Sequence, residues 1–119
     1  MNSIGKLLDS LTIELKRGVL VLVVLSQLHK PEYGYSLVQK LEEKKMPIEA
    51  STLYPLLRRL EKQKLLISKW DTGESRPRKF YQLSAEGEEV YKLLKNEWKS
   101  LGKQIENLLG EDECNDESY

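Results

Sequence analysis

Apolar residues shift between helical and strand spacing along the chain. From Ser10 to Leu28 they predict one helix, with Leu11, Leu15, Val19, Leu22 and Val23 on one face and Ser10 placed to cap its first turn. The β-branched residues Val19, Val21, Val23 and Val24 leave a buried strand as the rival reading of the middle of that run. As a helix the run is apolar nearly all round, which calls for a second chain to cover it. Lys30-Pro31-Glu32 breaks it, and Tyr33-Gly34-Tyr35 opens a second helix with Leu37, Val38 and Leu41 facing inward. Met46-Pro47 makes a turn. A third helix starts between Glu49 and Ser51, with Ser51 or Thr52 available for its free amides and Pro55 in or just after its first turn.

Runs rich in strand formers follow at Leu65 to Trp70 and Arg78 to Leu83, joined by a loop from Asp71 to Pro77 that is too long for a tight turn. Ser84 then caps a last helix reaching about Leu109, or about 39 Å at 1.5 Å per residue. Along it Tyr91, Leu94, Trp98, Leu101, Ile105 and Leu108 recur at spacings of three and four, the seam of a coiled-coil-like helix. The rest of the chain is used up in a unit of three helices and a hairpin. The economical partner for that seam is therefore the same helix of a second copy, giving a homodimer.

The length of 119 residues supports one core, and 32% charged residues with a mean hydropathy of −0.53 fit a soluble globular chain. No apolar run approaches the roughly 20 residues of a membrane span, and no signal-peptide layout opens the chain, so the expected setting is cytoplasmic and away from membrane. The single Cys114 forms no internal disulfide. His29 stands alone, and no nucleophile with a base, no phosphate loop and no carboxylate constellation is marked by a motif. The expectation is accordingly no enzyme, no metal site and no cofactor.

A formal net charge of zero argues at first against nucleic acid. Its distribution argues the other way. Arg58 to Phe80 holds eight basic and three acidic residues, a local excess of +5, while five acidic residues follow Gly110 without a base. The third helix buries Leu53, Leu56, Leu57 and Leu60 and turns Ser51, Thr52, Tyr54, Arg58 and Lys62 outward. Such groups suit phosphates and base edges. Tyr33, Arg76, Arg78 and Lys79 complete the expected DNA-contacting set, with Arg76 and Lys79 nearest the phosphates. The bland alternatives are an Arg58 pairing with Glu61, a Tyr54 ring resting on the hairpin, and tyrosines 33 and 35 divided between phosphate contact and packing.

The blocks Tyr33-Gly34-Tyr35 with Leu37, Ser51-Thr52-Leu53-Tyr54-Pro55-Leu56-Leu57-Arg58-Arg59-Leu60-Glu61-Lys62, and Arg76-Pro77-Arg78-Lys79-Phe80-Tyr81-Gln82-Leu83-Ser84-Ala85-Glu86-Gly87 resemble the PadR-like transcriptional regulators in order and spacing. The resemblance spans residues 11–109 and points to the compact branch with one long final helix. It implies a mainly α fold with a small β-hairpin: a winged helix-turn-helix domain, placed over 1–83, and a dimerisation helix, placed over 84–109; the composition after Gly110 separately predicts an acidic disordered tail over 110–119. The resemblance also implies a repressor of double-stranded DNA relieved by a small effector, and the symmetry of a dimer predicts a roughly palindromic operator. Trp98 matches a tryptophan that in some members lines a pore for planar aromatic ligands, and its place on the seam equally fits plain packing. A winged-helix module that binds protein, and an aromatic-compound sensor without DNA, are the competing expectations.

Overall fold

The computed structural model of the chain describes residues 3–73 and 76–117, with side chains through Gly110. Its elements are α1 (Ser3–Arg17), α2 (Leu20–Ser26), β1 (Glu32–Tyr33), α3 (Gly34–Glu43), α4 (Ala50–Lys62), β2 (Leu66–Asp71), β3 (Arg78–Leu83) and α5 (Ala85–Glu117). Val24, Leu25 and Leu28 of the α2 region, Leu37 and Leu41 of α3, and Leu53, Leu57 and Leu60 of α4 bury their side chains together. Leu66, Tyr81 and Leu83 close the core from the sheet. Each such leucine stabilises the fold by about 1.5–3 kcal/mol through apolar burial.

The single helix expected from Ser10 is two helices. Gly18 interrupts it, because a residue without Cβ gains least from the helical state, and Val19 N–H bonds the Lys16 carbonyl at 3.0 Å in a tightened last turn. Ser10 lies inside α1 and caps nothing. The strand alternative over Val19–Val24 gives way to α2, with Val24 and Leu25 buried. Leu11 and Leu15 do not join that face. No residue of α1 is buried, and Ile4, on the same helix, is 81% exposed.

α3 and α4 end alike. Lys45 and Lys64 have φ of 65° and 66°, and the next amides, Met46 and Leu65, reach back to the carbonyls of Leu41 and Leu60 at 2.9 and 3.0 Å. This left-handed closure ordinarily uses glycine. α4 begins after Glu49 with no side-chain cap, so Ser51 and Thr52 are not its capping residues. Pro55 is the sixth helical residue, just beyond the first turn, and forgoes one backbone bond there.

The hairpin forms as expected, in register from Leu66 opposite Leu83 to Asp71 opposite Arg78. A third strand, β1, pairs with β3 through Glu32–Tyr81 and Tyr33–Phe80, giving the order β1-β3-β2. Ser84 caps α5 as expected: its Oγ accepts from Gly87 N–H at 2.9 Å and donates to the Lys64 carbonyl at 2.7 Å. Gly87 is required there, since a Cβ would lie 2.0 Å from the Leu65 carbonyl oxygen. The helix passes Leu109 and runs to Glu117. Residues 110–117 are thus helical where a disordered tail was expected, and no proline stops them.

Candidate nucleic-acid interface

Two leucine rows bind α4 to the core and leave its opposite face in solvent. Ser51, Thr52, Arg58 and Lys62 are exposed on it. Tyr54 is half-buried, and its ring lies against the start of α3, where a Cβ on Gly34 would come within 2.4 Å of it. The ring therefore rests on the start of α3, at the edge of the groove it shares with the hairpin. Glycine is needed at position 34 for this close approach.

The hairpin stands beside that face, and strand alternation divides its side chains. On the side toward α4 are Ser68, Trp70, Lys79 and Tyr81, cross-strand partners in register. Lys79 Nζ sits 3.4 Å from Glu61 Oε1, and the Ser68 hydroxyl donates to Glu61 Oε2. Glu61 thus joins the end of α4 to both strands, and turns to the wing instead of toward Arg58. Its carboxyl is held below the ordinary range, first by the Ser68 hydroxyl and then by Lys79, with burial opposing. Lys79 also lies 5.3 Å from the Tyr81 ring centre and 5.9 Å from that of Trp70.

On the other side, Tyr33 donates its hydroxyl to Asp71 Oδ2 at 2.6 Å, and Gly73 N–H donates to Asp71 Oδ1 at 3.1 Å. Asp71 consequently titrates low, with the Tyr33 hydroxyl the largest cause, the Gly73 amide next and the Arg78 charge assisting. The Arg78 guanidinium lies 4.2 Å from the centre of the Tyr33 ring and donates from Nη1 to the Tyr35 hydroxyl at 3.2 Å. Tyr33 and Tyr35 stack with centroids 6.2 Å apart, and Phe80 meets Tyr33 edge-on. Arg76 is exposed in the loop.

A groove of about 410 Å³ lies between helix and hairpin, lined among others by Tyr54, Arg58, Trp70, Arg78 and Lys79. The structure brings these side chains together, while Ser51, Thr52, Lys62 and Arg76 stand outside the groove lining. Trp70 was missed by sequence reasoning as a site residue, yet it is 63% exposed beside Lys79. Its alternation with Lys69 was the available signal. Asp71 reads from the sequence only as a loop charge.

On α5, Tyr91 and Leu94 reach the core, but Leu101, Ile105 and Leu108 are exposed and Trp98 is 50% exposed. A second cavity, of about 480 Å³, lies between the start of α2 and α5, with Val19, Leu22, Leu94, Trp98 and Leu101 in its wall. His29 Nδ1 lies 3.1 Å from Glu88 and the ring meets Tyr91 edge-on. Among the described residues no three His, Cys, Asp or Glu side chains gather in a way that could hold a metal ion. Cys114 lies outside the residues whose side chains are described. No helix among the described residues is long and apolar enough to cross a membrane.

Residues 21–93 match the model of the transcriptional regulator PadR-like family. A PadR family transcriptional regulator from Eggerthella lenta is 48% identical, with a TM-score of 0.87 over 90% of this chain and 96% of its own. A Streptococcus transcriptional regulator is 34% identical, with a TM-score of 0.70 over 79% and 95% of the two chains. A PadR-like transcriptional regulator from Bacillus cereus is 29% identical, with a TM-score of 0.71 over 81% and 96%. No curated protein matches the chain. With its winged helix, long last helix and these matches, the chain belongs to the PadR-like family of DNA-binding transcriptional regulators, whose members are not enzymes.

Proposed function

We propose that the chain is a cytoplasmic homodimeric repressor that inserts α4 into the major groove of a roughly palindromic operator. The observation that carries this reading is the exposed polar face of α4 beside a basic, aromatic hairpin. Ser51, Thr52, Arg58 and Lys62 meet base edges and phosphates, and Arg76 reaches the adjacent backbone. Tyr33, Tyr54, Arg78 and Lys79 bound the groove between helix and wing. Residues 1–83 form the DNA-binding unit, and residues 84–109 form the dimerisation helix.

The dimer reading rests on the α5 seam. Beyond Leu94 its apolar residues run past the core into solvent, and a second copy of the helix covers them most economically. The effector reading rests on the cavity at Trp98, whose volume lies within the range of small-molecule sites of about 300–1,000 Å³. A planar aromatic would stack there, and would relieve repression only by preferring a dimer spacing that fits DNA poorly.

The test is selection of duplexes from a random pool by the purified chain, repeated with a planar aromatic dye. Enrichment of a palindrome that the dye weakens is expected. A pool with no palindrome enriched would reject the repressor and favour a winged helix that binds protein. Dye quenching of Trp98, with unchanged DNA affinity, would favour a sensor separate from gene regulation.

A further inference from the structure

The last rung of the hairpin before its loop pairs Asp71 with Arg78, and both side chains leave the wing to grip the start of α3. Asp71 accepts the Tyr33 hydroxyl at 2.6 Å. The Arg78 guanidinium carbon lies over the Tyr33 ring, 4.2 Å from its centre, and Nη1 donates to the Tyr35 hydroxyl at 3.2 Å. The strand end, where pairing ordinarily frays, is thus held by a charge-assisted hydrogen bond and a cation–π contact. The grip extends to α4, because Gly34, between the two tyrosines, is the residue against which the Tyr54 ring packs. Wing tip, α3 start and recognition helix therefore form one connected set.

We propose that Tyr33, Asp71 and Arg78 act as a wing tie: positioning residues that fix the angle of the hairpin to α4 and thereby set DNA selectivity, rather than phosphate contacts. This inference rests on the DNA-binding reading above. Selective binding needs helix and wing to fit one duplex together, and a loose wing must be ordered at the moment of binding. Non-selective binding draws on the summed charge and tolerates a loose wing. Arg78 is specified over lysine because only a planar guanidinium stacks on one tyrosine while donating in-plane to another.

The test uses the full chain with Tyr33→Phe, which removes only the hydroxyl, and Arg78→Lys, which keeps the charge. In the free protein, amide hydrogen exchange near Asp71, Gly73 and Arg78 should quicken by about tenfold, while the Leu66–Leu83 end stays unchanged. The affinity ratio between the selected duplex and a scrambled duplex of equal length should fall by about five- to tenfold in both variants. Affinity for the scrambled duplex, and its salt dependence, should stay the same. An equal loss on both duplexes would overturn the tie in favour of a direct phosphate contact. Unaltered exchange at the hairpin tip would overturn it whatever the DNA result. An unsubstituted chain that prefers no duplex would overturn the DNA-binding reading itself, and is seen before any variant is made.

Discussion

Glu61 and Arg58 are three residues apart on α4 and face different neighbours. Arg58 stays in solvent, whereas Glu61 takes Ser68 and Lys79 from the two strands. Their charges should therefore count differently toward DNA. Arg58→Ala should reduce the slope of log affinity against log salt by about 0.9 per protomer if the guanidinium neutralises a phosphate. Lys79→Ala should reduce it less, because Glu61 already neutralises that ammonium; equal reductions would contradict the pairing. The carboxyls of Glu61 and Asp71 both titrate lower in the folded chain than in the unfolded one. Their contribution to stability is complete above the ordinary carboxylate pKa of about 4, and is lost as pH falls through the lowered folded values. The difference in urea midpoint between the unsubstituted chain and Glu61→Gln should thus hold from neutral pH down to about 5 and shrink below about 4. A difference that persists unchanged in strong acid would count against the ion pair. The outward residues of α4 were legible in the sequence because helical spacing alone separates them from the leucines. The partners of Glu61 and Tyr33 were not, because they depend on how the hairpin docks, which no local period encodes.

Elements follow the same division. α3 and α4 were legible from helical periodicity, both hairpin strands from their strand-forming residue types, and the Ser84 cap from capping chemistry. The break at Gly18 was not, since the apolar pattern continues through it, and β1 is too short at two residues to register as a period. Helix ends offer two tests of stability. Lys45 holds a left-handed conformation that costs an L-residue about 1–2 kcal/mol, against about 0.4–1 kcal/mol for the freedom glycine adds to the unfolded chain. Lys45→Gly should therefore stabilise the fold by about 0.5–1 kcal/mol in chemical denaturation, and a net loss would mean the strain is relieved elsewhere. At the root of α5, Gly87→Ala presses a methyl group onto the Leu65 carbonyl, and backbone cannot swing aside as a side chain does. It should cost about 1–3 kcal/mol. An unchanged denaturation midpoint would show that α5 does not pack as closely on the α4–β2 connection as described.

At the scale of the molecule, zero net charge conceals a basic excess between Arg58 and Phe80 and an acidic run in the sequence after Gly110. α5 reaches about 50 Å over its 33 residues, and from Trp98 to Leu109 its apolar residues are exposed. Leu101 lies on the exposed seam between Trp98 and Ile105. Leu101→Glu should leave the chain folded but shift it from dimer to monomer in sedimentation equilibrium, and a dimer that survives would place the interface elsewhere. In the proposed dimer, the paired α5 helices hold two copies of α4 at one fixed spacing. The direct measurement takes the selected operator and inserts base pairs between its half-sites, one at a time. Affinity should fall sharply with each insertion toward half a turn, about five base pairs, and recover in part near a full turn of about 10–10.5 base pairs. Affinity that stays level across the series would contradict a fixed pair of recognition helices.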